Sequence, residues 1–388
     1  MRHVLLALVV AAACGGGSHK STTPPPPLPE TKPEATPTPP KPDAEKAAEA
    51  TKVPEPPPGP VEVPLKAQQP TVKLVTAGKG KKAQLKLTPK AGDKVPVEIA
   101  LDFTGKTGMP PELGGPQEQI APQVIASGTL ENQEVAADGT TKFQVAIAKV
   151  DAKDIQGSKP TADEFKGALS SLTGATIAGS VNPNGSTSDL TVHVDKPDAH
   201  TKDALEVVHL ALLPMWPVLP TEPIGAGAKW TATSTYKFAD QLDVTSTTDY
   251  ELVSHKGTDW VIKGTTKLSG KDQEMGAGGQ SAKVSNIAGS GTIQATISDG
   301  KLVPANKSTL STTFTATAHV PAGDGNPAKD VAIKFELSQG TNVTSPGASA
   351  TTPPPAAPAP ATAPKAEAKT APATAPKAET KPAPAPKK

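Results

Sequence analysis

Seven histidines, a single cysteine and a net charge of +1 are the stock from which any chemistry in this 388-residue chain must be drawn. The densest grouping is His193-Val-Asp195-Lys-Pro-Asp198-Ala-His200. Two imidazoles and two carboxylates could ligate zinc, but their spacing matches no zinc signature, and the segment runs from a strand end into a helix start. It reads instead as Asp198 capping a helix, with His200 exposed. Pro321 to Asp330 has the acids and glycines of a calcium loop without the alternating ligands or the closing Glu, so it reads as a hairpin loop. Gly78-Lys-Gly80-Lys-Lys has no following helix to make a phosphate cradle. No serine sits in a nucleophile elbow and no carboxylate pair stands out. The expectation is a non-enzyme with no catalytic residue, metal site or cofactor. The near-neutral charge argues against nucleic acid as a partner.

The cysteine is the exception. Met1-Arg-His3 is followed by the apolar run Val4 to Ala13, and Cys14, the only cysteine in the chain, stands at its edge. Ten apolar residues are too few to cross a bilayer core of roughly 30 Å as a helix. The arrangement resembles a bacterial lipoprotein signal, in which residues 1–13 are removed and the Cys14 thiol is acylated. Ala11 stands where Leu is usual, and Ala11-Ala12-Ala13 also reads as an ordinary secretory cleavage site. Lipidation would make the membrane a partner, since two or more acyl chains form a stable anchor at about 0.8 kcal/mol per buried methylene. Gly15 rather than Asp after the cysteine resembles outer-membrane sorting, so the expected location is the bacterial cell envelope, lipid-anchored at the outer membrane.

The elements that could present such a protein are unevenly spread. Of 45 prolines, 17 lie in residues 20–70 and 11 in residues 349–388, whereas all 11 aromatic residues fall between Phe103 and Phe335. Proline density of that order favours extended polyproline II over packed structure. Residues 14–70 therefore read as a disordered tether, 71–346 as the globular domain and 347–388 as a disordered tail. Residues 351–388 hold six Lys and two Glu, a composition suited to weak attraction for envelope polyanions.

Within 71–346, short alternating runs rich in Thr, Val and Ile are separated by turn signals. Gln84 to Pro89, Val95 to Phe103, Lys142 to Ile147, Ile177 to Val181, Leu190 to Val194, Trp230 to Phe238, Ser246 to Val253, Trp260 to Leu268, Thr292 to Ile297, Ser311 to His319 and Val331 to Leu337 read as strands. Asp138-Gly139, Asn184-Gly185 and Asp299-Gly300 read as hairpin turns. Thr161-Ala-Asp-Glu164 is a capping-box pattern preceding Phe165, Leu169 and Leu172 at helical spacing. A second helix, from near Asp198 or Thr201 to Leu213, is apolar on most sides and is halted by Pro214, Pro217 and Pro220. The predicted fold is mainly β (β-rich α+β), with ten to twelve antiparallel strands. They would form a strongly curved sheet or half-barrel carrying one or two helices, flanked by the disordered Pro-rich arms.

Leu219-Pro220-Thr-Glu-Pro223-Ile224-Gly-Ala-Gly227-Ala-Lys-Trp230 resembles the LPxxPVxxGxxW segment of a DUF6263-like family of bacterial lipoproteins. Leu85 to Gly92 is similar to that family's opening, and Gly289-Ser-Gly291 with Gly300-Lys-Leu302 to a later signature. Ala228-Lys229 stands where the family has Gly-Asp. The resemblance implies location and shape and no chemistry. The expected role is a non-catalytic envelope lipoprotein acting as a tethered scaffold or interaction module for a protein partner that the sequence leaves unknown. The alternative is binding or carriage of a lipid or other apolar ligand in a half-barrel cavity.

Overall fold

The computed structural model describes residues 59–111, 114–212, 214–238, 242–277, 280–320 and 327–346. Cys14, most of the tether and the tail from residue 347 lie outside the described residues. Among these residues the chain forms seventeen strands and two α-helices. The first half contains β1 Val61–Leu65, β2 Thr71–Thr76, β3 Lys79–Ala83, β4 Lys94–Gly108, β5 Gln117–Ile120, β6 Gln123–Val135 and β7 Thr141–Lys153. Helix α1 (Ala162–Ala168), β8 Thr176–Val181, β9 Leu190–Val194 and helix α2 (Thr201–Leu212) follow. The second half contains β10 Ile224–Ala226, β11 Lys229–Phe238, β12 Leu242–Lys256, β13 Asp259–Ser269, β14 Gln273–Ala277, β15 Gln280–Ser298, β16 Ala305–Val320 and β17 Lys329–Thr344.

All but two of these strands belong to one sheet, whose main path is β1-β9-β8-β7-β6-β4-β17-β16-β15-β13-β12-β11-β2. It is antiparallel and does not close into a barrel. Chain connectivity forces its curvature. Strands β1 and β2 stand at opposite ends of a path thirteen strands wide, yet only residues 66–70 separate them in sequence. Laid flat, twelve interstrand steps of roughly 4.8 Å would hold those edges nearly 60 Å apart. Six Cα steps span about 22 Å at most. The sheet must therefore curl until its two edges nearly meet.

The predicted mainly-β curved sheet with two helices is thus observed, with three corrections. First, the sheet begins at Val61 rather than 71, because Val61 to Leu65 pair with Val194 to Leu190 across β9. Five residues of the expected tether are therefore sheet. Second, the alternating run Gln84 to Pro89 is not a strand. Leu85 and Leu87 are buried as the alternation requires, but the backbone has no ladder there, and Leu87 N–H instead donates to Pro183 O at 2.8 Å. Third, seventeen strands replace ten to twelve, the excess lying in short or polar pieces such as β5 and β14.

Local chemistry accounts for the connections. In the β6–β7 hairpin Gly139 adopts φ 88°, and Thr140 N–H donates to the Asp138 carboxylate at 2.8 Å. The first helix carries its capping box: Thr161 accepts from Glu164 N–H, and Glu164 accepts from Thr161 N–H at 2.9 Å. It ends at Ala168, so Leu172 lies in the following 3-10 turn, where Leu169 and Leu172 are both buried. Helix α2 starts where the Asp198 carboxylate accepts from His200 N–H at 2.8 Å and the Thr201 hydroxyl at 3.1 Å. His200 is exposed. Ala204, Leu205, Val207, Val208 and Leu212 are buried against the inner face of the sheet, within a cluster that includes Trp230, Leu252, Ile262 and Val343. A second cluster, around Phe314, Phe335, Val284 and Leu242, fills the same face farther along the strands.

A candidate ligand cavity on the inner face

Between the two apolar clusters the inner face changes character. Strand register places Ala232, Thr248, Thr266, Gly291, Leu310 and Gln339 in one row. The next row toward the second cluster is Ser234, Ser246, Leu268, Gly289, Thr312 and Leu337. Where large aliphatic residues would fill a closed core, most of these positions carry hydroxyls, methyls or nothing. A Cβ on Gly289 or Gly291 would stand 2.5 Å from Ser311 O or 2.2 Å from Thr309 O, so β15 and β16 approach too closely there for any side chain. The space left over is a cavity of about 210 Å³, open on one side.

Two elements border it. The first is the connection from β1 to β2: Lys66 pairs with Asp189 at 2.5 Å, Ala67 N–H donates to the same carboxylate at 3.0 Å, and Gln68 accepts from the Ser234 hydroxyl at 2.7 Å. Lys66 and the Ala67 amide hold the Asp189 carboxyl below the usual range. The second is the C-terminal end of α2, whose carbonyls would otherwise be left without partners. Gln339 from β17 donates to Leu210 O at 3.0 Å, and Asn306 from β16 donates to Met215 O at 3.2 Å and to Pro214 O. Beyond the helix, Trp216 packs against Phe143 with ring centroids 5.0 Å apart and donates to Leu302 O at 3.0 Å.

The polar groups on the floor fall into two sets. Thr248 and Thr266 bond each other at 2.9 Å, and Thr341 accepts from Gln339 at 3.3 Å. Tyr236, Ser246 and Thr312 also line the cavity, and none of their hydroxyls has a hydrogen-bond partner among the described residues. Thr312 is only 5% exposed. Burial pushes the Tyr236 phenol up to about 12. The same cause takes Tyr250 to about 12, against smaller opposing effects of Val218 and Thr248. Trp230 stacks on Tyr250 with centroids 5.3 Å apart and donates to Val218 O at 2.8 Å, closing the floor at the first cluster.

The residues singled out from sequence lie elsewhere. Cys14 is outside the described residues. His193 sits on the outer face, 3.0 Å from Asp195 and 3.7 Å from Glu62, while Asp198 is engaged at the start of α2. No metal-holding cluster occurs among the described residues. Residues 321–326 of the loop with calcium-like composition lie outside the description, and its flanks close a hairpin in which His319 meets Asp330 at 2.8 Å. Lys79 to Lys82 lie in β3, which pairs with β10, and Gly78 precedes it at φ 72°. Sequence reasoning missed Tyr236, Ser246 and Thr312. Their signal was small or hydroxyl residues at inward positions of strands already identified, but judging inwardness across five strands needs the register. No described helix is long and apolar enough to cross a membrane.

No family model matches the chain, and no curated protein matches it. Among solved structures, the chain is similar to the crystal structure of Pseudomonas aeruginosa OccK2 (OpdF) in complex with glucuronate. Identity is 7% and the TM-score 0.15, over 66% of this chain and 100% of that one. A likeness so slight carries no argument about fold or function.

Proposed function

We propose that this chain is a non-catalytic lipoprotein of the bacterial cell envelope, related to the DUF6263-like family. In this reading it is anchored in the outer membrane through Cys14 and binds a small, largely apolar molecule in the cavity of its curved sheet. The observation that carries the reading is the interruption of an otherwise apolar inner face by two rows of mostly short side chains, beside which lies a cavity of about 210 Å³. An open cavity of this size leaves the apolar part of its lining against water, which an apolar occupant would displace. The lining contains no Asp or Glu, which supports binding over acid–base chemistry.

A scaffold role on the same tether is the second reading. It is favoured by β2, an edge strand whose outer side has no sheet partner among the described residues. The basic tail would add attraction to envelope polyanions. Native mass spectrometry of the full chain, extracted from membranes, separates the two. A small molecule retained by the wild type and lost on Ser246→Trp supports binding. A chain carrying nothing, with a protein partner captured equally by both forms, supports the scaffold.

A further inference from the structure

We propose that the strap formed by residues 79–90, with Val75 and Val253 beside it, is a docking surface for an anionic lipid bilayer. The proposal rests on neither the cavity nor the Cys14 anchor, and it adds a membrane contact made by the folded domain itself.

Gly78-Lys-Gly80-Lys-Lys makes no phosphate cradle, yet the run around it is strongly basic: residues 67–92 hold six lysines and no acid. The fold lays this run across one end of the curled sheet. Strand β3 pairs with β10. Farther on, the Thr88 hydroxyl accepts from Gly300 N–H at 3.0 Å, Leu87 N–H donates to Pro183 O at 2.8 Å, and the Asn132 amide donates to Lys90 O at 3.1 Å. Those partners belong to the β15–β16 connection, the β8–β9 connection and β6, so the strap crosses from one side of the curl to the other. Leu85, Leu87 and Pro89 are buried beneath it, whereas Lys79, Lys81, Lys82, Lys86 and Lys90 are exposed. The strap therefore has an apolar underside and a cationic outer side. None of its five lysines lies within ion-pair distance of an acid among the described residues.

Two apolar side chains share this end. Val75 is 58% exposed and Val253 48%, the large hydrophobic residues left open to solvent among the described residues. Either alone would mean little. Residues 225–227 join them: Gly225 N–H donates to Ala77 O at 2.9 Å and Gly227 N–H to Leu252 O at 2.9 Å. One valine thus lies on each side of the segment that pairs with β3. Acids occur here too. Glu251 is met by Lys263 at 3.4 Å and Lys229 at 3.9 Å, Asp259 accepts from the Ser298 hydroxyl at 2.7 Å, and Asp299 accepts from the Trp260 indole at 3.3 Å. Exposed Glu222, on the loop before β10, offsets part of the charge. Clustered lysines attract anionic headgroups, and apolar side chains gain by entering the interface. A soluble polyanion would use only the lysines, so the valines favour a bilayer.

The test is co-sedimentation of the full chain with two kinds of vesicle, phosphatidylcholine alone and equal parts phosphatidylcholine and phosphatidylglycerol. An acyl anchor would bind both alike, so the ratio of the two affinities reports the basic surface. The wild type should prefer the anionic vesicles, and salt should weaken that preference. Lys79→Gln, Lys81→Gln and Lys82→Gln together should lower the preference at least about tenfold, since each lysine at an anionic surface gives a several-fold gain. Lys86→Gln with Lys90→Gln is the second probe should the triple variant fail to melt cooperatively. Val75→Ser with Val253→Ser should weaken vesicle binding while leaving binding of inorganic polyphosphate unchanged. A strap variant that keeps the wild-type preference overturns the proposal. So does loss of the preference when Lys365, Lys369 and Lys377 of the tail are changed to Gln instead, or strap-dependent binding of polyphosphate without binding to vesicles. None of these outcomes bears on the cavity.

Discussion

Alkaline titration offers a direct test of how the inner face is packed, because the chain has only two tyrosines and both belong to that face. Burial pushes the phenols of Tyr236 and Tyr250 from an ordinary value of 10.0 up to about 12. The folded state therefore keeps both protons between pH 10 and 12, where the unfolded chain has released them. The stabilisation is complete below about pH 10 and is lost as pH rises toward 12. Each tenfold change in proton affinity is worth about 1.4 kcal/mol, so the two groups together withdraw roughly 5 kcal/mol over that interval. Domains of this kind are stable by about 5–15 kcal/mol. The protein should consequently lose much of its stability, or unfold, between pH 11 and 12, with phenolate absorbance appearing in the same step as loss of sheet circular dichroism. In denaturant both phenols should titrate near 10. A native protein whose phenolate absorbance rises with a midpoint near 10, while its sheet signal persists, would refute the inward placement of both rings.

Trp230 is fully buried, stacked on Tyr250 and bonded to Val218 O. Trp230→Ala should cost about 3–5 kcal/mol, measured by denaturant unfolding, and a cost under about 1 kcal/mol contradicts the register of β11. Thr161→Ala removes the half of the capping box in which the Thr161 hydroxyl accepts from Glu164 N–H, leaves the backbone half, and should cost about 1 kcal/mol, with faster amide exchange confined to residues 162–172. Uniform exchange rates in wild type and variant would count against that cap. Cys14→Ser should abolish incorporation of an alkyne fatty acid and release the chain from membranes; a labelled serine variant, or an unlabelled wild type, ends the anchor reading.

The elements most legible in the sequence were those whose signals are local. Alternation identified β11, β12, β13, β16 and β17, glycines in turns identified the hairpins after β6 and β8, and Thr161 with Glu164 identified α1. Burial of Trp230 was readable from its place after a glycine turn at a strand start. What failed was whatever depends on partners distant in sequence. Val61 to Leu65 are embedded among prolines and become a strand only because β9 offers an edge 125 residues later. Leu85 and Leu87 alternate like a strand and bury like one, but no neighbour completes a ladder. The cavity was the least legible feature. Ser246, Thr266, Gly291 and Thr312 are unremarkable singly, and only the register of β12, β13, β15 and β16 shows that the gaps coincide.

The pairing of β4 with β17 also dictates the order in which this chain can fold. Glu98 to Gly108 find their partners in Thr344 to Lys334, more than two hundred residues later. Strand β4 lies in the middle of the sheet path, so the two flanking arrays, β1-β9-β8-β7-β6 and β17-β16-β15-β13-β12-β11-β2, are joined only through it. Contacts of such sequence separation make folding slow, since loop closure precedes the contacts that repay it. During synthesis, the first array can assemble once β9 has emerged, but its β4 edge stays bare until β17 arrives. An unpaired edge of fifteen residues is a template for pairing with another chain. The nascent protein is accordingly most exposed to aggregation just before β17 is delivered, and truncations that remove β17 should be held by chaperones or degraded rather than accumulate as a smaller folded domain.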